Sequence, residues 1–161
     1  MLKVAIKIQT ERLAEYATNE TKRIGDDISV APVRNNLDRT GNLLDSLCWG
    51  VCHNGNVQKY GYYRPEEALE DSNLHEYSRP MGDSVNGHFL ASQFIATYKP
   101  QTSDGWEMFI AVLAPYWGYW EKGFEHKPSG QFFQWQVMTN HYDDVSRDLT
   151  PAKVTFDTYI P

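Results

Sequence analysis

The two cysteines and the histidine beside them are the residues whose types most directly suggest metal or haem chemistry. They lie in the run CWGVCH, residues 48–53. Covalent haem attachment needs two residues between the cysteines, whereas three intervene here. On a strand, Cys48 and Cys52 would share one face about 13 Å apart, too far for a disulfide or for joint zinc ligation. We therefore expect two free thiols in or near the core, with no metal and no cofactor.

The histidines and acidic residues form no recognised catalytic pattern. The five histidines include no pair four residues apart and no HExxH motif. The sequence also lacks a GxSxG nucleophile motif and a glycine-rich phosphate loop after a strand. The carboxylate pairs at 26–27, 66–67 and 143–144 are adjacent in sequence, which is typical of a solvated surface. The sequence therefore predicts no catalytic residues and a protein that is not an enzyme.

The densest group of large side chains is the run PYWGYWEKGF, residues 115–124. One face of a short helix over 116–122 cannot hold all of its aromatic rings, so some must contact a loop or another subunit. Because Tyr and Trp are common at interfaces, we predict an interface formed by these residues: Tyr116, Trp117, Tyr119, Trp120 and Phe124. In an isolated subunit, Trp117 or Trp120 is expected to be exposed. Two alternatives stay open: the loop 64–84 covers the rings, or the rings wall a ligand pocket.

The N-terminal residues fit either a strand followed by a helix or one long helix. Apolar residues at 2, 4, 6 and 8 have the period of two that is typical of a half-buried strand. Thr10 would then cap a helix that runs to about Arg23 and is stopped by Gly25. A continuous helix from Leu2 is the competing interpretation. Residues 26–38 are expected to form a loop.

The rest of the pattern predicts an α+β domain: an antiparallel sheet packed by a long N-terminal helix and a long C-terminal helix, with the short aromatic helix. Strands are predicted at 47–53, 57–63, 106–114 and 153–160, and helices near 10–24, 87–99 and 130–147. Asn54-Gly55 indicates a type I′ hairpin turn. Residues 64–84 form a long loop, followed by a helix inserted within 85–100. The last helix is capped by Ser129 and has an apolar stripe: Phe132, Trp135, Met138, Tyr142, Val145 and Leu149.

Length and charge restrict the class of protein. The chain has 161 residues, enough for one domain over 1–161, and 15 Lys+Arg against 21 Asp+Glu give a net charge of −6. Nucleic-acid binding needs clustered cations, and no basic run exists. No stretch approaches 18 apolar residues, and lysines interrupt the N-terminal apolar residues, so we expect neither a membrane span nor a signal peptide. Synthesis in a reducing cytoplasm fits the two cysteines.

Two short motifs resemble those of the head–tail joining family of tailed phages, which includes neck and tail-completion proteins. The segment RTGNLLDSL, residues 39–47, resembles the family signature R-T-G-x-L-x-x-S followed by an apolar residue. Residues 115–123 are similar to the family element P-Y-A-x-Y-V-E-x-G. The order of predicted elements also matches over most of the chain. The motif residues that carry the resemblance are Thr40, Gly41, Leu43, Pro115, Glu121 and Gly123.

The resemblance implies a non-enzymatic virion protein that acts in head–tail joining or tail completion. Its partners would be copies of itself, in a homo-oligomer such as a ring, and connector or tail-tube proteins. Its location would be the head–tail junction, after synthesis in the host cytoplasm. The sequence departs from the family at Trp117, where the family has a small residue, and at Phe124, where Thr is usual. The stretch 54–105 is also longer than in compact members.

Two rival functions remain. The first is a small-molecule-binding domain or enzyme whose pocket is walled by residues 115–124, with Glu121 and His126 as polar groups. The second is a cytosolic regulator or antitoxin-like adaptor. A Glu121 that is enclosed in a closed cavity would favour the pocket, whereas a Glu121 that is paired with backbone amides or with a neighbouring chain would favour assembly.

Overall fold

The protein has an α+β fold in which a three-stranded antiparallel sheet is packed by a long N-terminal helix, a C-terminal helix and shorter helices, as predicted. A computed structural model describes residues 2–30, 42–64, 77–78, 84–85, 87–114 and 117–150. The helices are α1 (Leu2–Ser29), α2 (Asn42–Asp45), α3 (Gly87–Thr97), α4 (Trp117–Lys122) and α5 (Val137–Asp148). The strands are β1 (Leu47–His53), β2 (Asn56–Tyr62), β3 (Tyr77–Ser78), β4 (Ser84–Val85), β5 (Trp106–Val112), β6 (Phe124–His126) and β7 (Gln131–Phe133).

The main sheet has the strand order β2-β1-β5, and both pairings are antiparallel. Gly50 at the centre of β1 lies opposite Tyr60 of β2 and Phe109 of β5. Three of the four strands predicted for the sheet are therefore confirmed, with small changes at their ends. The fourth, at 153–160, lies outside the described residues. Two short ribbons, β3–β4 and β6–β7, were not predicted.

The hairpin between β1 and β2 turns at Asn54 and Gly55, as the sequence predicts. Their φ angles are +49° and +78°, and a type I′ turn needs positive φ at both positions. The Asn54 side chain also accepts a hydrogen bond from the N–H of Gly105 at 2.9 Å. This bond connects the turn to the residue that precedes β5.

The N-terminal segment is one continuous helix, so the predicted strand at 2–8 is wrong and the competing interpretation is confirmed. Extending an existing helix costs far less than nucleating a new element, which explains why the helix continues toward Leu2. Gly25 does not end the helix, which runs to Ser29 and so includes part of the predicted loop. The ring of Tyr63 occupies the space that a Cβ at Gly25 would need. Gly25 thus permits close packing; residues 31–38 of that loop lie outside the described part of the chain.

The central strand β1 is buried on both faces. Trp49 and Val51 pack under Ala14 and Ala17 of α1. On the opposite face, the core contains these residues of β1, α3 and β5: Cys48, Cys52, Ala91, Ile95 and Phe109. Successive side chains of a strand point to opposite faces, so α1 covers one face of the sheet and α3 covers the other.

The C-terminal helix begins later than predicted. Residues 131–133 form β7, which pairs with β6, and α5 starts only at Val137. Ser129 therefore does not cap α5; its hydroxyl lies 2.8 Å from Nδ1 of His126 in the turn between β6 and β7. The turn signal Pro128-Ser129-Gly130 and the alternation of the short strands outweigh the apparent helical stripe. The predicted helix at 87–99 is confirmed as α3.

Candidate interaction site

Backbone hydrogen bonds fix where the short helix α4 begins and ends. At the start, the N–H of Trp117 donates to the carbonyl of Ala114 at 3.0 Å. At the end, the N–H of Gly123 donates to the carbonyl of Tyr119 at 2.8 Å. Gly123 has a φ of +84°, a conformation that a glycine adopts without steric cost. The predicted stop at Gly123 is confirmed, whereas Pro115 and Tyr116 lie outside the described residues.

Glu121 is a buried carboxylate that joins α4 to α5. Its Oε1 accepts the indole N–H of Trp117 at 3.0 Å and the backbone N–H of Met138 at 2.5 Å. Its Oε2 accepts the backbone N–H and the hydroxyl of Thr139, at 3.2 and 2.9 Å. The residue before α5, Gln136, makes no capping bond with its side chain. Glu121 therefore supplies from another helix the acceptor that a helix N-terminus needs, with a charge that suits the helix dipole.

The backbone of α4 is also bonded to the residues between β7 and α5. The side-chain amide of Gln134 donates to the carbonyl of Glu121 at 3.1 Å. The N–H of Trp135 donates to the carbonyl of Trp120 at 2.8 Å. Together with the Glu121 cap, these bonds attach α4 to the segment leading into α5.

The prediction that Trp117 or Trp120 is exposed in an isolated subunit is wrong for Trp117, which is only 3% exposed, whereas Trp120 is half-buried. The indole of Trp117 packs in the core with Leu43, Leu47 and Val137. A fixed partner at Glu121 satisfies its N–H, which removes the cost of burying that group. The simple helical projection missed this because it treated α4 without the elements that pack on it.

The other aromatic rings form a cluster that extends outward from the core. Trp120 is partly buried against the core and meets the ring of Phe124 edge-on at 4.9 Å. Phe124 stacks on Phe133 of β7 with ring centroids 5.8 Å apart. The cluster thus joins α4 to the β6–β7 ribbon, which presents aromatic side chains at the surface.

Among the described apolar rings of this region, those of Tyr119 and Phe132 are exposed, at 41% and 61%. Phe132 lies over Gly123, and a Cβ at that glycine would collide with its ring. The sequence placed Phe132 on a buried helical stripe and so missed it as a surface residue. The signal that could have found it is the turn Pro128-Ser129-Gly130 between two short aromatic runs. We call Tyr119 and Phe132, with the half-buried Trp120, Phe124 and Phe133, the aromatic surface.

The structure also connects the two motifs that carry the family resemblance. The hydroxyl of Ser46 donates to the carbonyl of Leu43 at 2.7 Å and accepts the N–H of Ala114 at 2.9 Å. The N–H of Leu113 donates to the carbonyl of Ser46 at 3.3 Å. Leu43 is fully buried in the same core as Trp117, whereas Thr40 and Gly41 lie outside the described part of the chain. The serine of the first motif thus holds the chain just before the second motif.

The residues that suggested metal or nucleophile chemistry lie elsewhere. Cys48 and Cys52 are free and buried; burial raises the pKa of the Cys48 thiol to about 12 and that of Cys52 to about 11. Such thiols are inert at neutral pH. Among the described residues, no group of three or more His, Cys, Asp or Glu is arranged to hold a metal ion.

The sequence did not single out His141, which lies buried on α5 between carboxylates of α1. Its Nδ1 is 2.5 Å from Glu20 and its Nε2 is 2.6 Å from Asp27. Asp27 belongs to a carboxylate pair that was expected to be merely solvated. The 121 and 114 residues that separate His141 from these partners explain why no local pattern could reveal the contact.

The part of the chain that the structure describes contains grooves large enough to receive a side chain or a small molecule, and two of them are well formed. One, of about 520 Å³, lies between α1 and the strands β1 and β2. The other, of about 770 Å³, lies between α1, β5 and α5. Neither groove is lined by a residue of α4 or of the β6–β7 ribbon.

Comparisons with known proteins returned no matching family model, no matching curated protein and no matching solved structure. The resemblance to the head–tail joining family therefore depends on the motif residues and the order of the predicted elements. No helix within the described ranges is long and apolar enough to cross a membrane.

Proposed function

We propose that the chain is a non-enzymatic structural protein of a tailed phage or prophage that acts in head–tail joining or tail completion. It would associate with copies of itself and bind connector or tail-tube proteins at the head–tail junction. The proposal combines two observations: the resemblance of residues 39–47 and 115–123 to the family motifs, and the exposed rings of the aromatic surface. Nucleic acid and membranes are not expected partners.

The observation that carries the proposal is the role of Glu121. Its carboxylate accepts four hydrogen bonds, two of them from backbone N–H groups of α5. A carboxylate with all of these donors is suited to holding structure and poorly suited to proton transfer. We therefore expect the aromatic surface beside Glu121 to serve for contact with another protein, and Glu121 not to act as a reactive group.

The exposed rings support association as the use of that surface. Interfaces draw much of their binding energy from a few aromatic residues with large apolar area. Tyr119 and Phe132 offer such area on a support of stacked rings. The alternative of a pocket walled by 115–124 receives no support from these two grooves, which are lined by other described elements.

The proposal predicts that removing the two exposed rings weakens association without unfolding the subunit. The double variant Tyr119→Ala/Phe132→Ala should weaken self-association or partner binding about tenfold or more, since interface truncations commonly cost about 2 kcal/mol. The mass of the purified protein under native conditions, alone and with purified connector and tail-tube proteins, measures this effect. The melting temperature should change little.

Phe89→Ala is the matched control, since Phe89 on α3 is also 61% exposed. It should leave association unchanged. A wild-type protein that stays monomeric and binds neither partner would contradict the proposed function. Association of the double variant at wild-type strength would instead show that the contact uses another surface.

A further inference from the structure

The contact of His141 with α1 has a geometry that depends on protonation. The imidazole bridges Glu20 and Asp27, which are seven residues, or about two turns, apart on α1. A neutral imidazole has one N–H, and its other nitrogen is an acceptor. Only the ring with N–H at both nitrogens can donate to both carboxylates at once.

We propose that His141 is a pH-sensitive latch that joins α5 to α1. With both ring nitrogens protonated, the imidazolium holds Glu20 and Asp27 together with α5. When one proton leaves, a nitrogen lone pair faces a carboxylate oxygen, and that contact becomes repulsive. The latch does not depend on the proposed function.

The charged groups around the ring on α1 and α5 favour a positively charged partner. Arg23 bonds Glu20 at 2.9 Å and lies 3.6 Å from Asp144 of α5. Further along, the hydroxyl of Tyr16 donates to Asp148 at 2.9 Å. Arg147 of α5 is bonded to the same Asp144 at 2.6 Å. Both guanidinium groups thus share their charge among carboxylates, and these carboxylates outnumber them: Glu20, Asp27, Asp144 and Asp148.

Carboxylates on the other elements near α5 are already paired. Glu121 of α4 accepts hydrogen bonds from the backbone N–H groups of Met138 and Thr139 at the N-terminus of α5. Glu107 of β5, which lines the same groove as His141, accepts bonds from the Tyr98 hydroxyl and from the backbone N–H groups of Gln101 and Thr102. Neither carboxylate is placed to replace Glu20 or Asp27 as a partner of the ring.

The contact to Asp27 is the one that a neutral ring would lose. The Glu20 side chain is buried and cannot turn into water, whereas that of Asp27 is 58% exposed. Loss of one ring proton therefore releases Asp27 and weakens the attachment of α5 to α1.

The test measures amide-exchange protection of α5 in the full chain between about pH 6 and about pH 8.5, with intrinsic rates corrected for pH. In the wild type, protection should fall roughly tenfold, the effect of one lost charge-assisted hydrogen bond. In Asp27→Asn the fall should disappear, because the amide can donate to an unprotonated ring nitrogen. His141→Gln should remove the fall as well.

His126→Gln is the control, because His126 is exposed on β6; this variant should keep the fall. Nitrogen NMR of the His141 ring in the wild type should show that one ring nitrogen loses its proton over the same pH interval in which protection falls. Protection that falls equally in Asp27→Asn and the wild type would overturn the latch. A ring whose protonation does not change over that interval would overturn it too.

Discussion

At the scale of single residues, Glu121 shows how a motif position acquires its meaning from a distant element. The sequence offers a glutamate inside an aromatic run, which fits a pocket as well as a structural role. The structure pairs it with backbone N–H groups 17 and 18 residues away. The sequence could therefore single out Glu121 but not its partners. Those partners depend on where α5 begins, and the start of this helix was predicted seven residues too early, at 130 instead of 137.

Glu121→Gln should lower the free energy of unfolding by about 1 to 3 kcal/mol, because an amide N–H₂ would face the donors that now meet a carboxylate oxygen. Urea unfolding of the purified variant measures the change. Glu125→Gln is the control, since Glu125 is exposed on β6, and it should change stability by less than about 0.5 kcal/mol. Equal stability of Glu121→Gln and the wild type would show that the cap does not stabilise α5.

At the scale of elements, prediction succeeded where the signal is local. The β1–β2 hairpin follows from Asn54-Gly55, and α3 follows from its own apolar face. Prediction failed where two local patterns compete. Residues 2–8 have both strand and helix periodicity, and the adjoining helix decided the outcome. Residues 131–133 continue a helical stripe, yet they pair with β6.

Gly55→Val should destabilise the protein by about 1 kcal/mol or more, because a β-branched residue resists the positive φ of +78° at this turn. Thermal unfolding detects the loss as a lower melting temperature. Gln58→Val, at an exposed position of β2, provides a control in which valine suits the strand. An unchanged melting temperature for Gly55→Val would mean that the turn rearranges at no cost.

At the scale of the whole molecule, the sequence predicted the fold class but not how its parts meet. Alternating and striped patterns reveal the number and type of elements, since each depends on neighbours along the chain. The bond between Ser46 and Ala114 spans 68 residues, and no periodicity encodes it. The candidate site was predicted in part: the aromatic segment was found, but Trp117 proved buried and Phe132 was missed.

Two cysteine thiols and two tyrosine hydroxyls of this protein are buried wholly or in part. Because these groups lose a proton at alkaline pH, their burial predicts how the stability of the protein depends on pH. Burial raises the pKa of Cys48 to about 12 and that of Cys52 to about 11. Burial also raises the pKa values of Tyr16 and Tyr98, and hydrogen bonds to Asp148 and Glu107 add to this effect. In the unfolded chain, these groups lose their protons at lower pH than in the native state.

The unfolded state therefore binds fewer protons than the native state above about pH 9, and the free energy of unfolding must fall as pH rises. Cys48 alone should contribute a loss of about 2 kcal/mol at about pH 10.5. Urea unfolding at a series of alkaline pH values measures the slope. Cys48→Val, which keeps an apolar side chain of similar size but cannot ionise, should lose less stability than the wild type over this range. A slope that is identical in the two proteins would show that the Cys48 thiol does not couple ionisation to unfolding.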